Sequence, residues 1–202
     1  MTELLLLPPV RPTQRRMAQI VDAAAAVFAQ KGYHGASTQD IADQLGMRQA
    51  SLYYYFGSKE EALAAVCRIG VEGYVERART VAASPISARQ KVSALIRSHL
   101  SPMHDRADYV RVFLTQRQFL PTTARRRVRA AARAYEAIVA SVIDAGVADR
   151  SFRDDLDSVE IAFTILGACN AATAWPSAVA ALSVERTITV IDAMMLRALR
   201  RR

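Results

Sequence analysis

The chain has 202 residues, a formal net charge of +8 and 51% hydrophobic residues, which is enough apolar material for one large or two small globular domains. No stretch is long and apolar enough to cross a bilayer. The leucine run Leu4–Leu7, followed by Pro8 and Pro9, is too short and wrongly flanked for a signal peptide, so we expect a cytoplasmic protein that does not associate with membranes. Cys67 and Cys169 match no metal or redox spacing, and we expect both to be buried apolar side chains.

The positive charge is concentrated in the C-terminal part of the chain. Residues 1–60 contain six basic and five acidic residues, so nearly all of the net charge lies beyond them. Bulk basicity therefore gives no reason to assign nucleic-acid binding to the N-terminal third, and such an assignment has to come from motifs. Arg11, Arg15 and Arg16 can still reach a groove or a phosphate backbone, and residues 1–12 are expected to form a flexible arm.

The first predicted helix precedes a segment rich in turn and cap signals. Ile20, Ala24, Val27 and Phe28 recur at helical spacing and form one apolar stripe. Gly32 is expected to end this helix, because a C-terminal cap favours a left-handed residue and glycine adopts that conformation freely. We therefore expect a helix that buries one face and stops at Gly32.

Two short helices are predicted next. Ser37 followed by Asp40 is a short variant of the capping box and predicts the start of the second helix. Gly46 supplies a tight turn, and a third helix is expected over roughly Arg48–Tyr55. Two short helices joined by a glycine turn form a helix-turn-helix, which places its second helix in the major groove of DNA.

A fourth helix is predicted from a full capping box made by Ser58 and Glu61. Lys59 lies in the first turn of this helix, where a cation opposes the helix dipole. Beside free backbone N–H groups the same cation forms a phosphate site. We therefore predict a phosphate contact for Lys59, with a solvated lysine as the alternative.

Residues 32–38, 40–42 and 46–63 together resemble the TetR family of transcriptional regulators, because they read GYHGAST, DIA and GMRQASLYYYFGSKEEAL at the family's spacing. The resemblance implies an all-α fold with a flexible arm (1–12), a three-helix DNA-binding domain containing the helix-turn-helix (13–57) and a larger helical bundle for ligand binding and dimerisation (58–202). Carried over by position, it implies that the following residues face DNA: Thr38, Gln39, Arg48, Gln49, Ser51, Tyr53, Tyr54 and Lys59.

Side-chain chemistry divides those roles. Arg48 can bond guanine O6 and N7, and Gln49 can bond adenine N6 and N7. Gln39 suits a base edge or a phosphate, whereas the hydroxyl groups and Lys59 suit phosphates, which fix register and carry no sequence information. For Tyr55, packing beneath the third helix is as good an interpretation as DNA contact.

The remainder of the chain is predicted to be helical near 58–82, 87–100, 104–119, 122–145, 157–174 and 184–200, with prolines and Gly146 between the helices. The last two helices are the most apolar. The family resemblance implies that they pair with their twins in a homodimer as a four-helix bundle, and the alternative is that they form the core of a monomer. A dimer also suits a roughly palindromic operator, because two half-sites require two recognition helices.

Five arginines between Thr122 and Tyr135, with no acidic residue among them, form either a solvated basic face or an anion site: Arg125, Arg126, Arg127, Arg129 and Arg133. This part of the chain is more loosely similar to TetR-family branches that sense acyl-CoA thioesters. That similarity implies an apolar tunnel, with Arg125 and Arg129 at its mouth holding CoA phosphates. The implied liners, each of which could equally be core, are Phe113, Leu114, Phe119, Ile138, Val142, Phe163, Leu166, Asn170 and Trp175.

The sequence therefore favours a DNA-binding regulator without cofactor or metal, acting as a repressor that a small apolar or amphiphilic effector releases from its operator. A constitutive DNA-binding protein without a ligand is the main alternative. An enzyme is disfavoured, because His34, His99 and His104 are the only histidines and none lies in a recognisable nucleophile or metal motif.

Overall fold

The computed structural model of the protein describes residues 12–173 and 183–201, and the predicted arm, Arg11 and Trp175 lie outside these ranges. Apart from one isolated bridge between Phe152 and Arg200, these residues form helices, turns and loops, which confirms the all-α prediction. The helices are α1 (Pro12–Gly35), α2 (Thr38–Gln44), α3 (Gln49–Leu52), α4 (Lys59–Ala83), α5 (Ala88–Leu100), α6 (Pro102–Asp105), α7 (Ala107–Gln116), a 3-10 turn (Arg117–Phe119), α8 (Thr122–Ala148), α9 (Ser158–Thr173) and α10 (Val184–Ala198).

The turns and most caps of the N-terminal region are as predicted. Gly32 and Gly46 both have positive φ, at 71° and 60°; Gly32 interrupts α1 and Gly46 forms the turn after α2, as expected. The Ser37 hydroxyl accepts from the Asp40 backbone N–H while the Asp40 carboxylate accepts from the Ser37 N–H, which is a complete capping box. α3 is shorter than predicted, however, because the chain leaves the helix at Tyr53.

The cap of α4 differs in one detail from the prediction. The Ser58 hydroxyl accepts from the Glu61 N–H at 3.2 Å, as expected. The Glu61 carboxylate instead accepts from the N–H of Gly57, one residue earlier than a capping box would require, at 2.8 Å. The residue before Ser58 is thereby hydrogen-bonded to the first turn of α4, which helps to fix the position of α4 relative to the helix-turn-helix.

The N-terminal core continues across the expected domain boundary between residues 57 and 58. It contains apolar side chains of α1 to α3 and the first half of α4, together with Val112 of α7, Val128 of α8 and Leu120, which follows the 3-10 turn. Two hydrogen bonds join α7 to α1, from Tyr109 Oη to Asp22 Oδ1 at 2.7 Å and from buried Gln116 Nε2 to the Phe28 carbonyl at 2.7 Å. The helix-turn-helix is therefore packed against part of the C-terminal bundle.

A second core fills the rest of the bundle, and α4 runs through both cores, since Val66 and Val71 belong to the first and Val75 and Ala78 to the second. Helices α5, α8, α9 and α10, with Phe152 and Leu199 just beyond the ends of α8 and α10, supply the rest of the second core. A single long helix thus connects the region next to the helix-turn-helix with the centre of the bundle.

α8 continues past Gly146, which was expected to interrupt it. A Cβ built at Gly146 would lie 2.1 Å from Cδ2 of Phe152, a ring that is completely buried. The glycine therefore lies within the helix because Phe152 packs directly on its backbone. Pro102, expected to separate two helices, stands at the first position of α6, where its missing N–H costs no hydrogen bond.

Both cysteines are buried as predicted, and burial raises the pKa of the Cys67 and Cys169 thiols to about 12. None of the helices within 12–173 and 183–201 has the length and apolar character that crossing a membrane requires.

Candidate nucleic-acid interface and ligand cavity

Three of the predicted DNA-facing side chains meet at the surface of the helix-turn-helix. Gln49, at the start of α3, donates from Nε2 to Thr38 Oγ1 at 2.7 Å, and Tyr53 Oη lies 3.4 Å from the same hydroxyl. Thr38 opens α2, so these contacts hold the start of one helix against the other. The third helix is thereby presented in a fixed orientation by polar groups that can also bond to DNA.

The neighbouring predicted residues project outward. Arg48, Ser51 and Gln39 are exposed, and Tyr54 is 84% exposed. Gln39 Nε2 donates to Asp43 Oδ1 at 2.6 Å, which leaves the amide oxygen of Gln39 for an outside donor. An exposed arginine and a run of hydroxyl groups on one face match the chemistry of a base contact flanked by phosphate contacts.

Tyr55 belongs to the core side of this turn. It is partly buried and packs against the N-terminal core, and its ring meets that of Tyr54 edge to face at 5.4 Å. The packing interpretation of Tyr55 therefore describes its position, whereas Tyr54 points into solvent.

Lys59 has partners within the protein that sequence reasoning did not foresee. Its Nζ donates to the carbonyls of Tyr33 and Ala36, each at 2.9 Å, and lies 4.5 Å from the centre of the Tyr33 ring. The ammonium group of Lys59 thus holds the start of α4 against the end of α1, by bonding to two carbonyls that follow Gly32 and by lying over the Tyr33 ring. An ammonium group has three N–H donors, so one donor is left beyond these two bonds for a phosphate.

Tyr33 forms the centre of a polar and aromatic junction. Its hydroxyl donates to the carboxylate of Glu60, and burial together with this hydrogen bond raises the pKa of Tyr33 to about 12. The Tyr33 ring stacks on Phe119 with centroids 5.2 Å apart, and His34 meets Phe119 edge to face at 4.6 Å. Phe119, expected to line a ligand tunnel, packs the 3-10 turn of the bundle against the last residues of α1.

An arginine-rich cleft of about 430 Å³ lies next to that 3-10 turn. Its charged liners are four arginines and one glutamate, namely Arg117, Arg125, Arg129, Arg133 and Glu136. The predicted residues Arg125 and Arg129 are among them, and Arg117 was missed because it lies outside the arginine run in the sequence. One Arg125 nitrogen also donates to the carbonyls of Gln118 and Leu120, at 2.7 and 3.0 Å, which ties the cleft to the 3-10 turn.

A second cavity, of about 270 Å³, lies deeper in the bundle and shares Phe113, Arg117, Ala132 and Glu136 with the cleft. Five of the predicted tunnel liners are found here: Phe113, Leu114, Phe163, Leu166 and Asn170. Val142, in contrast, is buried in the second core, Ile138 packs against that core, and neither lines this cavity or the arginine cleft. Both residues lie on the part of α8 beyond the cavity. Helical periodicity predicts which face of a helix is apolar, but not how far along the helix a cavity extends.

The deeper cavity has a polar wall that the sequence did not reveal. His99 is 6% exposed, its Nδ1 lies 2.9 Å from Tyr135 Oη, and its Nε2 lies 3.1 Å from Asn170 Oδ1. Tyr74 Oη donates to the His99 carbonyl at 3.3 Å. Because α4, α5, α8 and α9 each supply one of these residues, only the folded bundle brings them together.

Burial controls the charge of this wall. Desolvation lowers the pKa of His99 to about 4, although the bond to Asn170 opposes the change, and nearby Arg77 lowers the pKa further. Burial also raises the pKa of Tyr74 to about 12 and that of Tyr135 still higher. At neutral pH the wall is therefore uncharged and acts through hydrogen bonds.

A neutral His99 with its proton on Nε2 satisfies both contacts. Tyr135 then donates its O–H to Nδ1, and Nε2–H donates to Asn170 Oδ1. No hydrogen bond within the described part of the chain engages the Asn170 amide NH₂ group, and this residue lines the cavity. The wall thus offers N–H donors to a molecule inside the cavity.

α9 and α10 carry large apolar side chains that face solvent. Phe163 is 53% exposed and Met194 is 62% exposed, and Val159 and Val190 are each half exposed. The other exposed large apolar side chains in the described part of the bundle, Ile86 and Leu156, lie in the loops between helices. Within the described residues no cluster of His, Cys, Asp and Glu has the arrangement of a metal site.

Two protein-family models match the chain. The first, described as bacterial regulatory proteins of the tetR family, matches residues 20–66. The second, described as the tetracyclin repressor-like C-terminal domain, matches residues 85–199. The first covers the helix-turn-helix, and the second covers the arginine cleft and every liner of the deeper cavity except Val71 and Tyr74.

Individual relatives share the whole architecture. The HTH-type transcriptional repressor KstR2 of Rhodococcus jostii is 29% identical over 152 residues, which are 75% of this chain and 74% of the relative. The structure of the TetR-family regulator PfmR from Thermus thermophilus superposes with a TM-score of 0.82 at 24% identity, covering 90% of this chain and 99% of the other. FadR from Bacillus subtilis, in complex with stearoyl-CoA, gives 0.77 at 21% identity, covering 91% and 99%. At these identities the two structures show a common fold.

Proposed function

The chain belongs to the TetR family of bacterial regulatory proteins and is a DNA-binding transcriptional regulator, and from this premise we propose that it represses transcription until an amphiphilic effector releases it from a palindromic operator. The observation that carries the proposal is the polar face of the helix-turn-helix, where Thr38, Gln49 and Tyr53 form one connected group beside exposed Arg48. The C-terminal helical bundle of the same chain contains a cleft and an adjoining cavity that together are large enough for a ligand.

Operator recognition is assigned to the start of α3. Arg48 and Gln49 stand at its N-terminal end, which is the part of a recognition helix that contacts base edges. Ser51, Tyr53, Tyr54 and the free donor of Lys59 then fix the position of the helix through phosphates.

Dimerisation is assigned to α9 and α10. Groups of apolar side chains exposed on a protein surface mark interaction sites. Here they lie on the last two helices, α9 and α10, which contact each other. A twofold pairing of this surface would present two recognition helices to two half-sites.

The effector class is inferred from charge and shape together. Four arginines around the cleft suit phosphate or pyrophosphate groups, because guanidinium groups bond phosphate in a bidentate manner. The adjoining cavity, lined by Phe113, Leu114 and Leu166, suits an apolar chain. An acyl-CoA thioester combines both features, and the structural neighbour FadR is described as bound to stearoyl-CoA.

Release is proposed to pass through the 3-10 turn. Arg117 and Gln118 of this turn line the cleft, while Phe119 of the same turn packs on Tyr33 and His34 before α2. An effector that binds better to a second position of this turn would shift the orientation of the helix-turn-helix and lower operator affinity.

Operator binding is tested by selecting a DNA sequence from a random library with purified protein and measuring its affinity by fluorescence anisotropy. The double variant Arg48→Ala/Gln49→Ala should weaken binding at least about tenfold and relax base preference, because each bidentate base contact contributes about 1–3 kcal/mol. Arg79→Ala, which removes an exposed arginine from the second half of α4, serves as the control. Unchanged affinity and base preference in the double variant would refute the assignment.

A further inference from the structure

The polar wall of the deeper cavity is unusual for a pocket that only has to hold a hydrocarbon chain. Burying amide and hydroxyl groups costs free energy unless they find hydrogen-bond partners. Here Tyr74, His99, Tyr135 and Asn170 come from four different helices and meet at one place. Leucine or phenylalanine at these positions would fill the same space without that cost.

The direction of the hydrogen bonds indicates what the wall lacks. Tyr135 donates to His99, His99 donates to Asn170, and the chain of donors ends at the Asn170 amide NH₂ group, whose hydrogens no described residue accepts. Asn170 lines the cavity but not the arginine cleft, and the two adjoin at Phe113, Arg117, Ala132 and Glu136. A ligand whose anionic group occupies the cleft and whose apolar portion enters the cavity therefore places that portion in the space that this amide lines.

We propose that Asn170, oriented by His99 and Tyr135, selects effectors whose apolar portion carries an oxygen atom, as a keto or hydroxyl group, over effectors with a plain hydrocarbon chain. This inference rests on the proposed function, because it takes the acyl-CoA class as the ligand of the two cavities. It assigns the specificity of the site to one amide and gives His99 and Tyr135 a positioning role.

The polarity of the wall matches such an oxygen. A keto oxygen accepts from the Asn170 NH₂ group, and a hydroxyl oxygen does the same. A plain chain would leave the NH₂ group without a partner in a site from which water is displaced. Sites built to bond an oxygen discriminate strongly against an analogue that lacks it, because their own polar groups are then left unpaired.

Isothermal titration calorimetry with pairs of medium-chain acyl-CoAs of equal length tests the proposal. One member of each pair has a saturated chain, and the other carries one keto group, placed at a different carbon in each pair from the middle of the chain to the carbon before the terminal methyl. In at least one pair the wild-type protein should bind the keto compound at least about tenfold more tightly. Asn170→Leu should abolish this preference by weakening the keto compound and leaving the saturated one unchanged or tighter.

Two further variants separate specificity from folding. Ser141→Ala removes an exposed hydroxyl from α8, the helix that carries Tyr135, at a position that lines neither the cleft nor the cavity, and should keep the preference. Tyr135→Phe removes the hydroxyl that orients His99 and should reduce the preference even if Asn170→Leu proves unstable. Equal binding of both compounds by the wild-type protein would overturn the inference and leave the proposed effector class standing. No binding of either compound would overturn both.

Discussion

The buried imidazole of His99 makes folding stability depend on pH in a way that the structure predicts quantitatively. In the unfolded chain its pKa is that of a free histidine, about 6.5, whereas in the folded protein burial lowers it to about 4. Below pH 6.5 the unfolded state therefore takes up a proton that the folded state refuses. Stability should fall as the pH drops from about 6.5 to about 4 and become independent of this group below that range.

The expected magnitude follows from the size of the shift. Each unit of pKa difference corresponds to about 1.4 kcal/mol, so a shift from 6.5 to about 4 gives a loss of about 3 kcal/mol when it is complete. The group is buried among Tyr74, Tyr135 and Asn170, with Arg77 as the nearby charge, so solvent screens this loss little.

Urea unfolding at fixed protein concentration between pH 7.5 and pH 4 measures the effect. The difference in unfolding free energy between the wild type and His99→Gln should shrink by about 3 kcal/mol over this range, because the variant has no imidazole to protonate. His104→Gln, which changes an exposed histidine, is the matched control and should keep the wild-type profile. Parallel pH profiles for the wild type and His99→Gln would refute the reasoning.

Three other substitutions test separate parts of the account. Gly146→Ala should lower the free energy of unfolding by about 2 kcal/mol and the melting temperature by about 4–8 °C, because the added Cβ would overlap the Phe152 ring. Gly70→Ala is the control. Its Cβ would meet only one atom, at 4.0 Å, and it should not destabilise the fold. Lys59→Met should lower the free energy of unfolding by about 1–3 kcal/mol, since two backbone carbonyls lose a charged hydrogen-bond donor. Met194→Glu should turn a dimer into a monomer in sedimentation velocity, whereas Met194→Leu should leave it a dimer; a dimer that survives both would exclude this part of α10 from the interface.

Local signals in the sequence predicted the elements of the helix-turn-helix closely. Ser37 with Asp40, Gly32 and Gly46 each act through their own backbone or through a neighbour three residues away, and the structure shows them in the predicted roles. The end of α3 was placed too late, because the turn after Leu52 depends on packing against other helices.

Predictions that depended on distant contacts fared less well. Phe119 is apolar and lies near the predicted tunnel in sequence, yet its ring packs on Tyr33, more than eighty residues away in the chain. The Lys59 carbonyl contacts likewise join α4 to the end of α1. Neither helical periodicity nor motif spacing contains information about which surface of one helix meets another.

The deeper cavity illustrates the same difference between local and distant information. Leu166 and Asn170, one turn apart on α9, both line it, because helical spacing places them on one face. The partners of Asn170 could not be predicted, since His99 lies 71 residues away on α5 and had no recognisable motif around it.

Effector-dependent release of operator DNA is the central claim, and it is tested by titrating acyl-CoAs into a complex of the protein with its selected, fluorescently labelled operator. We expect anisotropy to fall as the effector is added, with free CoA and free fatty acids having little effect at the same concentration, because each occupies only one of the two adjoining sites. A complex that stays intact at saturating acyl-CoA, shown to be bound by calorimetry, would contradict the account.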